Sequence, residues 1–352
     1  MGSPETLRLS VCMIVRNEEK NLPACLASVQ GLADEIVIVD TGSTDATRDI
    51  AKARGAHVIE IAWANDFSRA RNTGLEAARG KWILVLDADE TLPEASRQRI
   101  RQLIAQPPRQ AYNLVQKNLL DGGKNHVSVQ AVRLFPRHPK VRYEREIHEQ
   151  VNTSLERERI PIVDTTIEFI HTGYVDGAVL RGKTERNRAI IHAALEREPD
   201  GDPNLRYFYA SSFFDAQEFE RAAQEYEECA RRSAANYKKL EAAAKIKAAQ
   251  AWYLAGDLEK AERHLPADPL PGLHPLVYSI RGGLAAKRRQ PDQARQWYEQ
   301  ILNCTDMAYM PPISLGKLKV EGWMYLADYW YRQGRRDLAI EFLRAAKSSL
   351  AL

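Results

Sequence analysis

Residues 9–87 repeat one pattern: a short, β-branched, almost unbroken apolar run, a helical stretch, a glycine, and then the next run. The runs are Ser10 to Val15, Glu35 to Val39, His57 to Ile61 and Lys81 to Leu86. Each has strand length, and near-continuous apolarity is what a strand covered on both faces requires. Gly31, Gly55 and Gly80 stand just before the second, third and fourth runs. That is where a helix ends in a left-handed residue, a conformation glycine adopts without penalty. Strand, helix and strand in this alternation demand right-handed crossovers and a parallel sheet, so the expected fold class is α/β, a Rossmann-like, mostly parallel sheet. Two further strands are expected at Ala111 to Leu120 and Val127 to Phe135, joined by the turn Asp121-Gly122-Gly123.

The chain is 352 residues long, more than one core of ordinary size organises. Its character changes near residue 180. Strand patterns stop, and Ala, Glu, Arg, Tyr and Leu recur at helical spacing. A degenerate unit returns around Gln217-Glu-Phe-Glu-Arg-Ala222, Gly256-Asp-Leu-Glu-Lys-Ala261, Gln290-Pro-Asp-Gln-Ala294 and Gly334-Arg-Arg-Asp-Leu-Ala339, with its alanines 39, 33 and 45 residues apart. With aromatics such as Tyr209, Trp252 and Trp330 before the turns, this resembles the tetratricopeptide (TPR) repeat, in which a small residue lets one helix pack closely on the next. The expected organisation is therefore an α/β domain over residues 1–180 and an all-α TPR-like domain over residues 181–352.

Fifty Lys and Arg against 47 Asp and Glu leave a formal charge of +3, too near balance to imply a nucleic-acid partner. No apolar run approaches the length of a membrane span. Cys12, Cys25, Cys229 and Cys304 are scattered without a C-x-x-C pair; they read as reduced core thiols in a cytoplasmic protein.

Ligands of an open parallel sheet bind beyond the carboxyl ends of its strands. The residues there are polar: Arg16-Asn17-Glu18, Asp40-Thr41-Gly42-Ser43, Asn65-Asp66 and Asp87-Ala88-Asp89-Glu90. If strand conformation persists, Asp87 and Asp89, two residues apart, project to one side. Two hard oxygen ligands with open positions suit Mg²⁺ or Mn²⁺ bridging a substrate diphosphate. Other α/β chemistries lack their residues. There is no G-x-G-x-x-G, Gly74 to Lys81 has the wrong spacing for a P-loop, and Asn152 stands where a zinc protease beginning at His148-Glu149 needs histidine.

Ser10-Val-Cys-Met-Ile-Val-Arg-Asn-Glu-Glu19, Asp34-Glu-Ile-Val-Ile-Val-Asp-Thr-Gly-Ser-Thr-Asp45, Arg71-Asn-Thr-Gly74 and Gly80-Lys-Trp-Ile-Leu-Val-Leu-Asp-Ala-Asp-Glu90 together resemble the nucleotide-binding half of family 2 glycosyltransferases with the GT-A fold. The resemblance implies an inverting, metal-assisted transfer of a sugar from a nucleoside diphosphate donor. It makes Asp40 the acceptor of a pyrimidine ring N–H, favouring uracil or thymine nucleotides, where the plainer role is capping a helix near Thr44. Val15, Asn17 and Glu18 would line the nucleoside pocket, with Arg71 near the base or phosphates. Asp87 would meet the ribose or a metal-bound water, and Asp89 the metal. Inversion needs a carboxylate to take the acceptor proton. In Ile147-His-Glu-Gln-Val151 the expected catalytic residues are Glu149, as the base, and His148, with Glu144 and Glu146 as alternative bases. His171 would serve the metal or diphosphate, amid Arg133, Arg137, Arg142, Arg145, Arg181 and Lys183.

The implied acceptor is a peptide or protein, as in transferases that modify bacterial peptides, held by the concave helical surface. A lipid-linked or cell-envelope glycan is the alternative acceptor, and a homodimer formed through the repeats a further expectation. The processive-synthase motif Q-x-x-R-W is missing, which favours transfer of one sugar. Two readings of other classes stay open: an inactive scaffold binding a partner through its repeats, and a nucleotidyltransferase.

Overall fold

The computed structural model describes residues 7–120, 125–172, 177–198, 202–266, 274–305 and 309–351. The turn Asp121-Gly122-Gly123 lies outside the described residues, as do the side chains of Arg181 and Lys183. The chain divides into two compact units, residues 1–119 with 129–175, and residues 120–128 with 176–352.

The first unit is built on β1 (Leu9–Val15), β2 (Glu35–Asp40), β3 (His57–Glu60), β4 (Trp82–Val85), β5 (Glu90–Thr91), β6 (Ala111–Leu120) except its last residue, β7 (Asn125–Pro136) from Val129 on, and β8 (Ile162–His171), with helices α1 (Leu22–Val29), α2 (Thr47–Ala53), α3 (Phe67–Ala77), α4 (Glu94–Ile104) and α5 (Asn152–Arg157). The strands form one sheet in the order β3-β2-β1-β4-β7-β6-β8-β5. β1 runs parallel to β2 and β4, and β2 to β3, as the glycine-punctuated pattern requires. The sheet is mixed beyond β4, where β7 pairs antiparallel. Side chains alternate across β1. Leu9, Val11, Met13 and Val15 enter one core with Trp82 and Leu84, while Cys12 enters the other with Val37, Ile83 and Val85. This two-faced burial is why the runs are apolar throughout. Cys304, unlike the other three cysteines, is only partly buried.

Gly31 and Gly55 have positive φ, +70° and +74°, as a left-handed helix end requires. Gly80 does not, and the expectation for it needs correcting. α3 ends at Ala77, and Gly80 is demanded by close approach instead. A Cβ there would sit 2.5 Å from the backbone nitrogen of Ser10.

The second unit begins with α6 (Gly177–Arg197) and continues as four helical hairpins: α7 (Pro203–Asp215) with α8 (Phe219–Ser233), α9 (Lys238–Ala255) with α10 (Leu258–Arg263), α11 (Pro275–Lys287) with α12 (Pro291–Leu302), and α13 (Leu315–Arg332) with α14 (Arg336–Ala351). Each turn contains a left-handed residue, Gln217, Gly256, Arg289 or Gly334. Five positions on lie Ala222, Ala261, Ala294 and Ala339, at 0%, 0%, 0% and 3% exposure, so the anchor alanines occupy equivalent places where helices touch. The unequal spacing is absorbed by helix and connector length, and the turn-to-alanine interval is kept. Among the described residues no helix is long and apolar enough to cross a membrane.

Candidate active site

β1 and β2 end side by side, with Val15 opposite Asp40. The loops beyond them are laced together. Asn17 N donates to Ser43 Oγ (2.9 Å), Asn17 Oδ1 accepts from Thr44 N (2.8 Å), and Glu18 N donates to Thr47 Oγ1 (2.7 Å). The Val15 carbonyl accepts from both the backbone and the hydroxyl of Thr41. Val15, Asn17 and Glu18 thus shape the mouth of the β1–β2 crevice, and the Asn17 oxygen is spent on Thr44. Asp40 is 1% exposed. Its Oδ1 accepts from Gly42 N (3.0 Å) and Ser43 N (2.9 Å), which closes a turn before the helix. α2 itself begins only at Thr47. Asp40 Oδ2 is buried with no hydrogen-bond partner, an arrangement that normally costs more than a kcal/mol, on the order of 1–3, unless a ligand supplies the donor.

At the end of β4 the strand does not persist through Asp87 and Asp89. β4 stops at Val85, and Glu90 N donates to the Asp87 carbonyl (3.0 Å), so residues 87–90 turn. The common strand face expected for the two aspartates is not formed, and they serve two different clusters.

Asp87 belongs to an arginine cluster. Arg71 Nη2 lies 2.9 Å from Asp87 Oδ1, and Arg71 Nε lies 2.5 Å from Glu149 Oε1. Arg71 is 10% exposed, so it is an interior cation joining two acids. Arg133 reaches Asp87 Oδ2 at 3.5 Å and Glu90 Oε1 at 2.8 Å. Burial alone would raise the Asp87 carboxyl, but Arg71 and Arg133 outweigh it and hold Asp87 well below the usual carboxylate range. Glu90 is fully buried. Desolvation, reinforced by the charge of Asp87, pushes it up to about 7 against the pull of Arg133.

Asp89 faces His171. β5 pairs antiparallel with β8, with Glu90 opposite His171, and this brings Asp89 Oδ2 to 3.3 Å from His171 Nε2. Burial lowers the imidazole pKa, and the hydrogen bond and charge of Asp89 more than reverse this, so His171 holds its proton above the ordinary histidine range. One carboxylate oxygen and one ring nitrogen at this separation make a two-ligand corner. That suits a divalent cation which draws its remaining ligands from a diphosphate and water. Among the described residues no third His, Cys, Asp or Glu joins it.

The segment carrying Glu149 is strapped to α3. Tyr143 N donates to Asn72 Oδ1 (2.8 Å) and Asn72 Nδ2 to the Tyr143 carbonyl (2.9 Å). Phe67 N donates to the Glu146 carbonyl (2.8 Å) and Ser68 Oγ to that of Arg145. Glu149 turns inward, 11% exposed, whereas Glu144 and Glu146 line an open polar cleft with Arg69 and Thr73. Glu144 pairs with Arg157 at 2.8 Å. His148 is held neutral: desolvation and the nearby Arg145 charge lower its pKa to about 4. Of the basic residues expected around His171, Arg133 reaches the acids, while Arg142 turns to Glu76 at 3.6 Å.

The sequence reading passed over Glu90 as a partner, Asn72 as a clamp and Asn118 as a neighbour of His171. The signal for Arg133 was available: one arginine inside the otherwise apolar Val132-Arg-Leu-Phe135 of β7, where a charge needs a buried partner.

The sheet order and the polar residues at its strand ends define a GT-A domain. Residues 10–154 match the family model described as Glycosyl transferase family 2, and this segment is a domain of that family, followed by a TPR-like helical unit. A TPR repeat-containing protein of Synechococcus elongatus is 39% identical over 201 residues, 55% of this chain and 49% of its own. The SPbeta prophage-derived glycosyltransferase SunS of Bacillus subtilis is 29% identical over 243 residues, 67% of this chain and 55% of its own. The chain therefore spans about half the length of these curated relatives. Among solved structures, S. aureus TarS 1–349 is similar with a TM-score of 0.43 at 14% identity, covering 73% of this chain and 90% of that one.

Proposed function

We propose that the protein is an inverting, metal-dependent glycosyltransferase that moves a single sugar from a uridine-type nucleoside diphosphate sugar to a peptide or protein acceptor in the cytoplasm. Residues 1–180 would perform the transfer, and residues 181–352 would present the acceptor on stacked helical hairpins or join two copies of the chain. The observation that carries this reading is the convergence on one buried guanidinium, Arg71, of Asp87 at 2.9 Å and Glu149 at 2.5 Å. An acid from the diphosphate side and the candidate base are thereby held a side chain apart.

Asp40 Oδ2, buried and without a partner, supports base recognition. Uracil and thymine offer a ring N–H at the position where cytosine offers a lone pair, so the unsatisfied carboxylate oxygen favours the former. Asp89 and His171 would hold Mn²⁺ or Mg²⁺, which when bound neutralises charge on the departing diphosphate. Arg133, anchored to Asp87 and Glu90, keeps that acid in place. Glu149 takes the acceptor proton, and His148, neutral beside it, adds no competing charge. The strap from α3 to residues 143–146 fixes the height of Glu149 over the sheet.

A thermal-shift screen of UDP, TDP, GDP and CDP, with and without Mn²⁺, tests this on the wild type, Asp89→Ala and Asp40→Asn. A ligand at a hundred times its Kd stabilises by about 2.7 kcal/mol. UDP or TDP should raise the melting temperature, Asp89→Ala should remove the Mn²⁺-dependent part, and Asp40→Asn should erase the preference over CDP. Equal shifts for all four nucleotides defeat the base assignment. Glu149→Gln should bind nucleotide and fail to transfer or hydrolyse the sugar; an inert scaffold would hydrolyse none even as wild type.

A further inference from the structure

His171 meets Asp89 with one ring nitrogen and a different strand with the other. Its Nδ1 lies 2.7 Å from Asn118 Oδ1, and Asn118, on β6, is the cross-strand partner of His171 on β8. Asn118 is 8% exposed. Its amide is oriented by a further residue of the same strand: Gln116 Nε2 donates to Asn118 Oδ1 at 3.0 Å. An amide oxygen only accepts. With Asn118 Oδ1 turned to the imidazole, Nδ1 must carry the hydrogen. In the neutral ring this leaves the lone pair on Nε2, the nitrogen that faces Asp89.

We propose that Asn118, oriented by Gln116, is a positioning residue that holds His171 in its Nδ1–H tautomer, presenting Nε2 together with Asp89 Oδ2 to a divalent cation. The proposal rests on the metal reading given above and adds to it the two side chains of β6 that make the histidine a ligand. A histidine ligand needs its other nitrogen tied to an acceptor, and loss of such an acceptor costs on the order of 10–100-fold in metal affinity. The reverse amide orientation has the opposite consequence. Asn118 would donate to Nδ1, Nε2 would carry the hydrogen, and the Asp89–His171 contact would be a plain hydrogen bond with no lone pair to offer.

Two measurements on the full chain test this. Nitrogen-15 spectra of histidine-labelled protein, recorded with saturating Mg²⁺, which is diamagnetic, report which ring nitrogen keeps its hydrogen in the loaded site; the His171 signal is identified by its loss in His171→Gln. The wild type should show the Nδ1–H form, and a wild-type Nε2–H form overturns the proposal without any variant. Free Mn²⁺ measured by electron paramagnetic resonance gives the affinity. Asn118→Leu should weaken it on the order of tenfold or more and shift the tautomer. Asn118→Asp, whose carboxylate also accepts from Nδ1–H, should recover much of the loss. If Asp89→Ala and His171→Gln weaken Mn²⁺ binding while Asn118→Leu binds as the wild type does, the positioning role is wrong and the metal site stands. If Asp89→Ala and His171→Gln leave Mn²⁺ binding unchanged, the metal reading falls, and the positioning role falls with it.

Discussion

Replacing Arg71 by Met should destabilise the first unit more than any other single change among its charged side chains. Arg71 is 10% exposed and holds Asp87 at 2.9 Å and Glu149 at 2.5 Å. Methionine keeps much of the volume and removes the charge, leaving two carboxylates, 32% and 11% exposed, without their shared cation. Removing one member of a buried ion pair costs about 3–5 kcal/mol, because the survivor stays desolvated and uncompensated. Arg133 lies 3.5 Å from Asp87 and compensates part of that acid, so the lower half of the range is expected. A two-unit chain need not melt in one step, and the measurement is therefore native-state amide hydrogen exchange at the slowest amides of β1 and β4. Since each 1.4 kcal/mol is a factor of ten, exchange there should accelerate by roughly two to three powers of ten. Adding Glu149→Gln to Arg71→Met should restore part of the loss, by about 0.5–3 kcal/mol for directly contacting groups. If Arg71→Met exchanges within about 0.5 kcal/mol of the wild type, the pairings are surface-like and the argument that Arg71 organises the site fails.

Two further outcomes follow from local geometry. Gly80→Ala places a Cβ 2.5 Å from the Ser10 backbone nitrogen; because backbone must move, it should cost about 1–3 kcal/mol or more, read as urea unfolding of the first unit, and a neutral result would refute the close-approach account. His148, with its pKa lowered to about 4 against about 6.5 in the unfolded chain, binds its proton more readily unfolded, so stability should fall as pH drops from about 6.5 and the loss should be complete below about 4. The full linkage is about 3 kcal/mol, reduced because the ring is only partly buried. His148→Asn, which tolerates the φ of +51°, should flatten this limb relative to the wild type, and parallel pH profiles would contradict it.

What the sequence made legible is what local chemistry dictates. Four apolar runs separated by glycines become β1 to β4, and four recurring alanines become the helix contacts, because period and turn residues act over a few neighbours. The aspartates after β4 were legible as residues but not as geometry, since the turn at residues 87–90 sends them to different partners. Arg71 and Glu149 stand 78 positions apart, and no spacing rule joins them. Gly282 was silent for a similar reason: a Cβ there would lie 2.8 Å from the ring of Tyr298, which is 5% exposed, so the constraint belongs to the facing helix and leaves no trace in its own.

The Asp89–His171 corner shows how a site can depend on an irregularity that composition does not reveal. β6 and β8 pair with Asn113 opposite Asp164, and then, past a break in register, with Val115 opposite Glu168. The separation is 51 residues before the break and 53 at Asn118 and His171. Had the first register continued, Asn118 would oppose Phe169, and His171 would oppose Leu120, whose side chain offers no acceptor. Thr165 stitches the break, donating its hydroxyl to the Asn113 carbonyl (2.7 Å) and accepting from Ile167 N (3.2 Å). Bulges re-aim the side chains that follow them. Here the extra residues of β8 carry His171 to the one place where an amide on β6 and a carboxylate before β5 can meet its two nitrogens, so the chemistry at this corner is set several residues away, by a threonine that touches neither.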